Sequence, residues 1–278
     1  MATSGKKIRT NRFHYRHSPF GMIVPIDHGL TIGPVDGLGT VSQIARWIRH
    51  PGITGVIAHK GMLERLADAG LLGHSGVMLH VNGMSVLAPN PDRKELVASV
   101  RTALRLGADG ISLQVNFDGE NDAHNLKMLG AVADSAAEHG LPVLTMLYDK
   151  AIAIPDERRI QRLRHLVRIA IELGSDAIKL AAPADVRDIP RILEGLSEDV
   201  SIYFAGGPVC ADSDLHALAR ATIAAGGKGL CIGRNVFQRP SPNEILSALS
   251  QTLVRSVPAL SDLTETASLF ERAKHGVH

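Results

Sequence analysis

Short apolar runs closed by polar residues alternate along this chain with longer segments in which apolar residues recur at every third or fourth position. The first run, Met22 to Asp27, leads through a Gly/Pro-rich loop to residues 40–50, where Val41, Ile44, Ala45 and Ile48 share one helical face. The pattern then predicts strand 55–60 with a helix inside 62–72, strand 77–82 with helix 91–106, and strand 110–116 with helix 121–139. It continues as strand 142–148 with helix 156–173, strand 177–181 with helix 184–196, strand 201–205 with helix 212–225, and strand 229–233 with helix 242–254. Helix 156–173 carries the fullest signal: Asp156 as cap, a stripe of Ile160, Leu163, Val167, Ala170 and Ile171, and Gly174 as stop.

Strands that alternate with helices make a parallel sheet, and eight such units predict a single closed (β/α)8 TIM barrel of the α/β class over residues 22–257. Similar helix-to-strand joints at 106–110, 173–177 and 225–229, each built around glycine, fit a repeated unit. An open doubly wound sheet is the structural alternative, but no Gly-x-Gly-x-x-Gly follows the first strand. Residues 1–21 read as a basic arm, with Lys6, Lys7, Arg9, Arg12 and Arg16 and no acid, ordered against the barrel or a neighbouring subunit rather than serving as a targeting peptide. Residues 258–278 read as a tail, either a further helix or a subunit contact.

In such a barrel the chemistry gathers at the C-terminal strand ends, and these are polar: Asp27 and His28, His59 and Lys60, His80 and Asn82, Gln114 and Asn116, then Tyr148, Asp149 and Lys150. Within 177–181 the side chains of Ala177, Lys179 and Ala181 share one face, and Ile178 and Leu180 the other. If the aliphatic face meets the helices, Lys179 enters the barrel, where desolvation is expected to lower its pKa and make it a nucleophile. A structural lysine paired with Asp27 is the other reading. Asp27 and Tyr148 could supply proton transfers beside it, although singly they also suit a loop cap and a rim aromatic. Gly206, Gly207 and Pro208 end the seventh strand and Gly233, Arg234 and Asn235 the eighth, where backbone amides and a planar cation suit a phosphate; tight turns with Arg234 on a surface acid are the alternative.

Composition narrows the partners. A net charge of +2 with no basic run interleaved with aromatics gives no case for nucleic acid or an acidic membrane, and no apolar stretch is long enough to span a bilayer. Two cysteines, Cys210 and Cys231, form neither a disulfide framework nor a zinc spacing, which fits a cytoplasmic protein. His28, His59 and His80 end three consecutive strands, but without a His-x-His pair the reading is metal-independent. His59, by parity, points away from Lys60 to a supporting or helix-facing position.

Pro25-Ile26-Asp27-His28-Gly29 with Gly33-Pro34, Lys179 in its strand, Ala205-Gly206-Gly207-Pro208, and Gly233-Arg234-Asn235-Val236-Phe237-Gln238 together resemble the archaeal-type class I fructose-bisphosphate aldolase family over residues 8–255. His59-Lys60-Gly61, Ala88-Pro89-Asn90-Pro91 and Val115-Asn116 look most like its branch of 2-amino-3,7-dideoxy-D-threo-hept-6-ulosonate synthases and related aspartate-semialdehyde aldolases. The resemblance implies a Schiff base on Lys179 with no other cofactor, acid/base roles for Asp27 and Tyr148, and phosphate binding at Gly206, Gly207, Gly233 and Arg234. It also implies a homo-oligomer, commonly a decamer. His28, Lys60, Asn116 and Lys150 are further candidates for substrate contact, with Lys60, Lys150 or Asp149 meeting the charged ends of the acceptor.

The expected reaction joins a three-carbon unit from a ketose phosphate, dihydroxyacetone phosphate or 6-deoxy-5-ketofructose 1-phosphate, to an aldehyde, L-aspartate semialdehyde. Fructose-bisphosphate cleavage, acyl transfer from a phosphorylated diketone, and non-catalytic sugar-phosphate binding are the alternatives.

Overall fold

The computed structural model describes residues 3–151 and 156–255. Eight parallel strands close into a barrel: β1 (Gly21–Pro25), β2 (Gly55–Ala58), β3 (Gly76–His80), β4 (Gly110–Phe117), β5 (Val143–Asp149), β6 (Ala177–Ala181), β7 (Ser201–Ala205) and β8 (Gly229–Cys231). Each pairs with its sequence neighbour, and β8 pairs with β1 through Gly21–Gly229 to Ile23–Cys231. The single (β/α)8 barrel expected from the pattern is the architecture found.

The inward and outward faces sort by parity. Lys179 stands in register with Met146 on β5 and Tyr203 on β7. Met146, Tyr203 and Ala177 belong to the interior cluster with Ile23, Ile57, Met78, Leu144 and Cys231. Ile178 and Leu180 instead join the outer layer, where Leu166, Val167, Ile189 and Ile192 come from surrounding helices. The strand alternation thus sends the lysine inward and the aliphatic pair outward.

The basic arm belongs to its own barrel. Thr3 caps a helix, Ser4–Asn11, that crosses the N-terminal mouth. Lys6 reaches Asp176 at 2.9 Å, Arg9 donates to the Gly140 carbonyl at 2.9 Å, and Arg12 pairs with Asp109. Phe13, 2% exposed, then plugs the barrel floor. Glycine at the start of β2 and β3 makes room for it, since a Cβ on Gly55 or Gly76 would lie 2.7 Å from the Phe13 ring.

Several boundaries differ from the pattern. Helix 91–106 is replaced by a short antiparallel pair, Asn82–Gly83 with Glu95–Leu96, followed by a helix only at Val100–Arg105. The Asn90 side chain accepts from the Arg93 amide at 3.2 Å and turns the chain there, while Ser99 caps the later helix. Helix 184–196 shrinks to a 3-10 turn, Val186–Asp188, and a helix at Ile189–Leu193 that carries Pro190 in its first turn. The helix expected over 40–50 covers only Val41–Ala45, inside a Thr40 and Gln43 capping box. His28 opens a short helix, His28–Ile32, and Lys60 opens another, Lys60–Asp68, so neither ends a strand. The tail 258–278 and the Asp156 side chain lie outside what is described. Among the described residues no helix is long and apolar enough to cross a membrane.

Candidate active site

β6 carries Lys179 into the C-terminal end of the barrel, where it is 7% exposed. Its amine donates to the Met146 sulfur at 3.8 Å, and the Tyr148 side chain of β5 lies close enough to favour its ammonium form. Burial favours the neutral amine, but Tyr148, Cys231 and Asp27 around it outweigh burial and raise the pKa above the ordinary lysine value. The expected lowering is therefore not found, because the enclosing groups include acids. Cys231, itself pushed up to about 11 by burial, is a neutral thiol at pH 7. Asp27 is the standing negative charge beside the ammonium.

Asp27 follows β1 and is held from two sides, with His28 Nδ1 and His80 Nε2 each 3.6 Å from a carboxylate oxygen. These distances are too long for hydrogen bonds, and either ring makes an ion pair across them only when protonated. Burial raises the Asp27 pKa, yet His80, His28, Lys179 and His59 more than reverse this and leave it lowered. His80 is driven the other way: burial takes it down to about 4 against the pull of Asp27. Its Nδ1 lies 3.0 Å from the Ser112 hydroxyl, and its ring meets His59 edge-on at 5.1 Å. His59, read by parity as a supporting residue, packs on His80 through Nδ1 at 3.2 Å from the His80 carbonyl.

The His80 shift fixes a stability window. An unfolded chain protonates this ring near pH 6.5, whereas the fold delays protonation to about 4, so stability is fully present above 6.5 and lost as pH falls between those values. The loss is at most about 3 kcal/mol. The lowered values of His28 and His59 add in the same direction. Asp27 acts in a lower window, its contribution present above about pH 3.9 and lost as pH drops through its folded value. Urea melts are expected to show a midpoint that declines from pH 6.5 to 4.5, and a constant midpoint would contradict this account.

Beside Lys179 opens a cavity of about 420 Å³ lined by His28, Tyr148, Gly206, Gly207, Gly233 and Arg234, among others. Gly207 has φ +68°, which favours glycine, and a Cβ on Gly233 would stand 2.9 Å from both the His28 ring and the Pro25 carbonyl. Among the described residues the amides of Gly207, Gly233 and Arg234 donate to no other protein group, and Arg234 has no carboxylate partner. Free amides and an unneutralised guanidinium make this the anion-binding end. Asn235 sets its shape from below, donating to the Gly206 and Pro208 carbonyls at 3.0 and 2.8 Å and accepting from the Cys210 amide at 3.0 Å. A larger hollow of about 670 Å³, with Arg12, Arg105 and Asp109 in its wall, lies at the opposite end of the strands and contains no lysine. The described residues include no group of three His, Cys, Asp or Glu side chains arranged for a metal ion.

The sequence signature of the DeoC/LacD family aldolases matches residues 21–239. The chain belongs to this aldolase family. It is 30% identical over 256 residues, 92% of each chain, to 2-amino-4,5-dihydroxy-6-oxo-7-(phosphonooxy)heptanoate synthase of Streptomyces griseus. It is 31% identical over 250 residues, 90% of this chain and 92% of the relative, to 2-amino-3,7-dideoxy-D-threo-hept-6-ulosonate synthase of Halobacterium salinarum. An archaeal fructose-1,6-bisphosphate aldolase solved with its catalytic lysine bound to a carbinolamine intermediate superposes with a TM-score of 0.78 at 24% identity, over 89% of this chain and 99% of the other. The enzyme is thus a class I aldolase, as its motifs suggested.

Other candidate residues of the aldolase lie apart from the lysine cavity. Lys60 is exposed, and its amine donates to the Val97 carbonyl at 3.0 Å. Asn116 is buried and donates to the Asp92 carbonyl and carboxylate at 2.9 and 3.1 Å. Lys150 pairs with Asp92 at 3.2 Å, and Asp149 with Arg162 at 2.9 Å. These contacts hold the segment after β3 and the end of β5 in place. Sequence reasoning passed over Asn235 as an organiser of the glycine loops, His80 as a partner of Asp27, and buried Lys94.

Proposed function

We propose that Lys179 forms an imine with the ketone of dihydroxyacetone phosphate and that the enzyme joins the resulting three-carbon enamine to L-aspartate semialdehyde. The observation that carries this is the enclosure of one amine between Tyr148 and Asp27, next to a pocket of free amides and an unpaired arginine. Attack by the amine on the ketone gives a carbinolamine; loss of water gives the iminium. Its positive nitrogen acidifies the hydroxymethyl carbon, which gives up a proton to become the enamine. The enamine carbon bonds to the aldehyde carbon, the new oxyanion takes a proton, and hydrolysis of the product iminium returns the amine.

Asp27 and Tyr148 are the groups placed for the proton steps, first accepting the ammonium proton that the raised Lys179 pKa would otherwise retain. Gly206, Gly207, Gly233 and Arg234 hold the donor phosphate, with His28 at the edge between phosphate and carboxylate. The choice of substrates follows from the product name of the Streptomyces griseus relative. Breaking its carbon skeleton between the 4-hydroxyl and 5-hydroxyl carbons, the bond an aldolase makes, yields aspartate semialdehyde and dihydroxyacetone phosphate.

The test is borohydride reduction with dihydroxyacetone phosphate followed by mass mapping, alongside turnover with L-aspartate semialdehyde and with fructose 1,6-bisphosphate. An adduct on Lys179 with condensation of the amino aldehyde is expected. An adduct formed only with 6-deoxy-5-ketofructose 1-phosphate would change the donor, and cleavage of the bisphosphate at a comparable rate would replace the acceptor.

A further inference from the structure

A second lysine is buried at this end of the barrel, away from the phosphate pocket. Lys94 precedes the short strand Glu95–Leu96 and is 3% exposed. A lysine so enclosed normally has a carboxylate against it. Among the described residues none stands within the 4.0 Å of an ion pair, and the Lys94 amine makes no hydrogen bond. Its backbone, in contrast, is firmly set. His124 lies 2.8 Å from the Lys94 carbonyl, Asn116 donates to the Asp92 carbonyl, and Leu96 is in register with buried Asn82. The fold places this cation with no direct ion-pair partner among the described residues, and Asp92 and Asp27 act on it only from beyond contact distance.

The charge is felt on the reacting side. Asp27 favours the Lys94 ammonium, and Lys94 in turn helps keep His80 unprotonated. Burial lowers the Lys94 pKa, with Asp92 opposing and Lys150 adding to it.

The donor dictates which end of the site the acceptor takes. In a three-carbon ketose phosphate the carbonyl is the middle carbon, so with the phosphate at β7 and β8 and the imine on β6, the bond-forming carbon points away from the phosphate. The acceptor must then come from the side of Asp27, His80 and the segment after β3. We propose that Lys94 anchors the carboxylate of the acceptor aldehyde, so that the site selects a small aldehyde with an anionic end remote from its carbonyl. This rests on the donor reading above. Lys60, Lys150 and Asp149 are already engaged by Val97, Asp92 and Arg162.

The experiment compares the wild type, Lys94→Met and Lys94→Arg with dihydroxyacetone phosphate as donor and three acceptors: L-aspartate semialdehyde, uncharged butanal, and glyceraldehyde 3-phosphate. In Lys94→Met, kcat/KM for the amino aldehyde is expected to fall about 10- to 100-fold, mainly through KM, as befits a lost charge-assisted hydrogen bond. Butanal should change by less than about threefold, within the range of ordinary packing adjustment. Lys94→Arg should restore part of the preference for the charged aldehyde. Equal losses with charged and uncharged aldehydes overturn the proposal, as does a wild type that prefers glyceraldehyde 3-phosphate. If the Met variant does not fold, a folded Arg variant that prefers the charged aldehyde supports the anchor, and one that has lost the preference refutes it. Absence of a trapped adduct in the wild type overturns the donor reading itself, a result distinct from either of these.

Discussion

Lys179→Ala is expected to cut turnover by about ten-thousand-fold or more and to remove the borohydride-trapped adduct, with the barrel still melting cooperatively. The magnitude is that of deleting the nucleophile from a covalent mechanism, where no neighbour can replace the bond it forms. Lys179→Arg makes the sharper comparison. It keeps a cation beside Asp27 and Tyr148 but offers a guanidinium that stays protonated in proteins and forms no imine. If the ammonium served only to hold phosphate or to neutralise Asp27, arginine would preserve much of the rate. Turnover in the Arg variant above about one part in a hundred would therefore contradict the covalent step, even if the Ala variant were inactive.

The part of this site that could be read from the sequence is the part that strand alternation encodes. Lys179 was legible because Ile178 and Leu180 flank it on the opposite face, and a two-residue period leaves no third direction. Asp27, Tyr148 and the two glycine loops were legible because a barrel's connectivity alone says which strand ends meet. Lys94 was not. Residues 91–106 carry enough helical spacing to suggest one more outer helix, on which a lysine is an ordinary solvent-facing residue. What moves it inward is a hairpin fixed by Asn116 and His124, partners 24 and 30 residues away. No local pattern records such contacts. The direction of the Lys179 shift is hidden from the sequence for a related reason: burial of one residue can be inferred from its strand, but Tyr148, Cys231 and Asp27, which oppose burial, come from three other strands or their ends. Cys231 illustrates the same limit, since it is buried as its type suggests and yet contributes to the environment of the reacting amine.

Asp27→Asn separates two things a carboxylate can do here. As a proton carrier it should be worth about 10²- to 10⁴-fold in kcat/KM, and the amide, which cannot exchange a proton, should lose that factor. As a counterion it works in the opposite sense. Asp27 helps to raise the Lys179 pKa, so removing its charge lowers that value and increases the fraction of neutral amine at a given pH. The Asn variant is thus expected to be slow at every pH, with the acid limb of its pH–rate profile displaced toward lower pH. A variant that shows the displaced limb but stays within about threefold of the wild-type maximum would reduce Asp27 to an electrostatic partner and leave proton transfer to Tyr148. A slow variant with an unmoved limb would mean that the acid side is controlled by a group outside the field of Asp27, which excludes both the Lys179 ammonium and His80, since Asp27 raises the pKa of each.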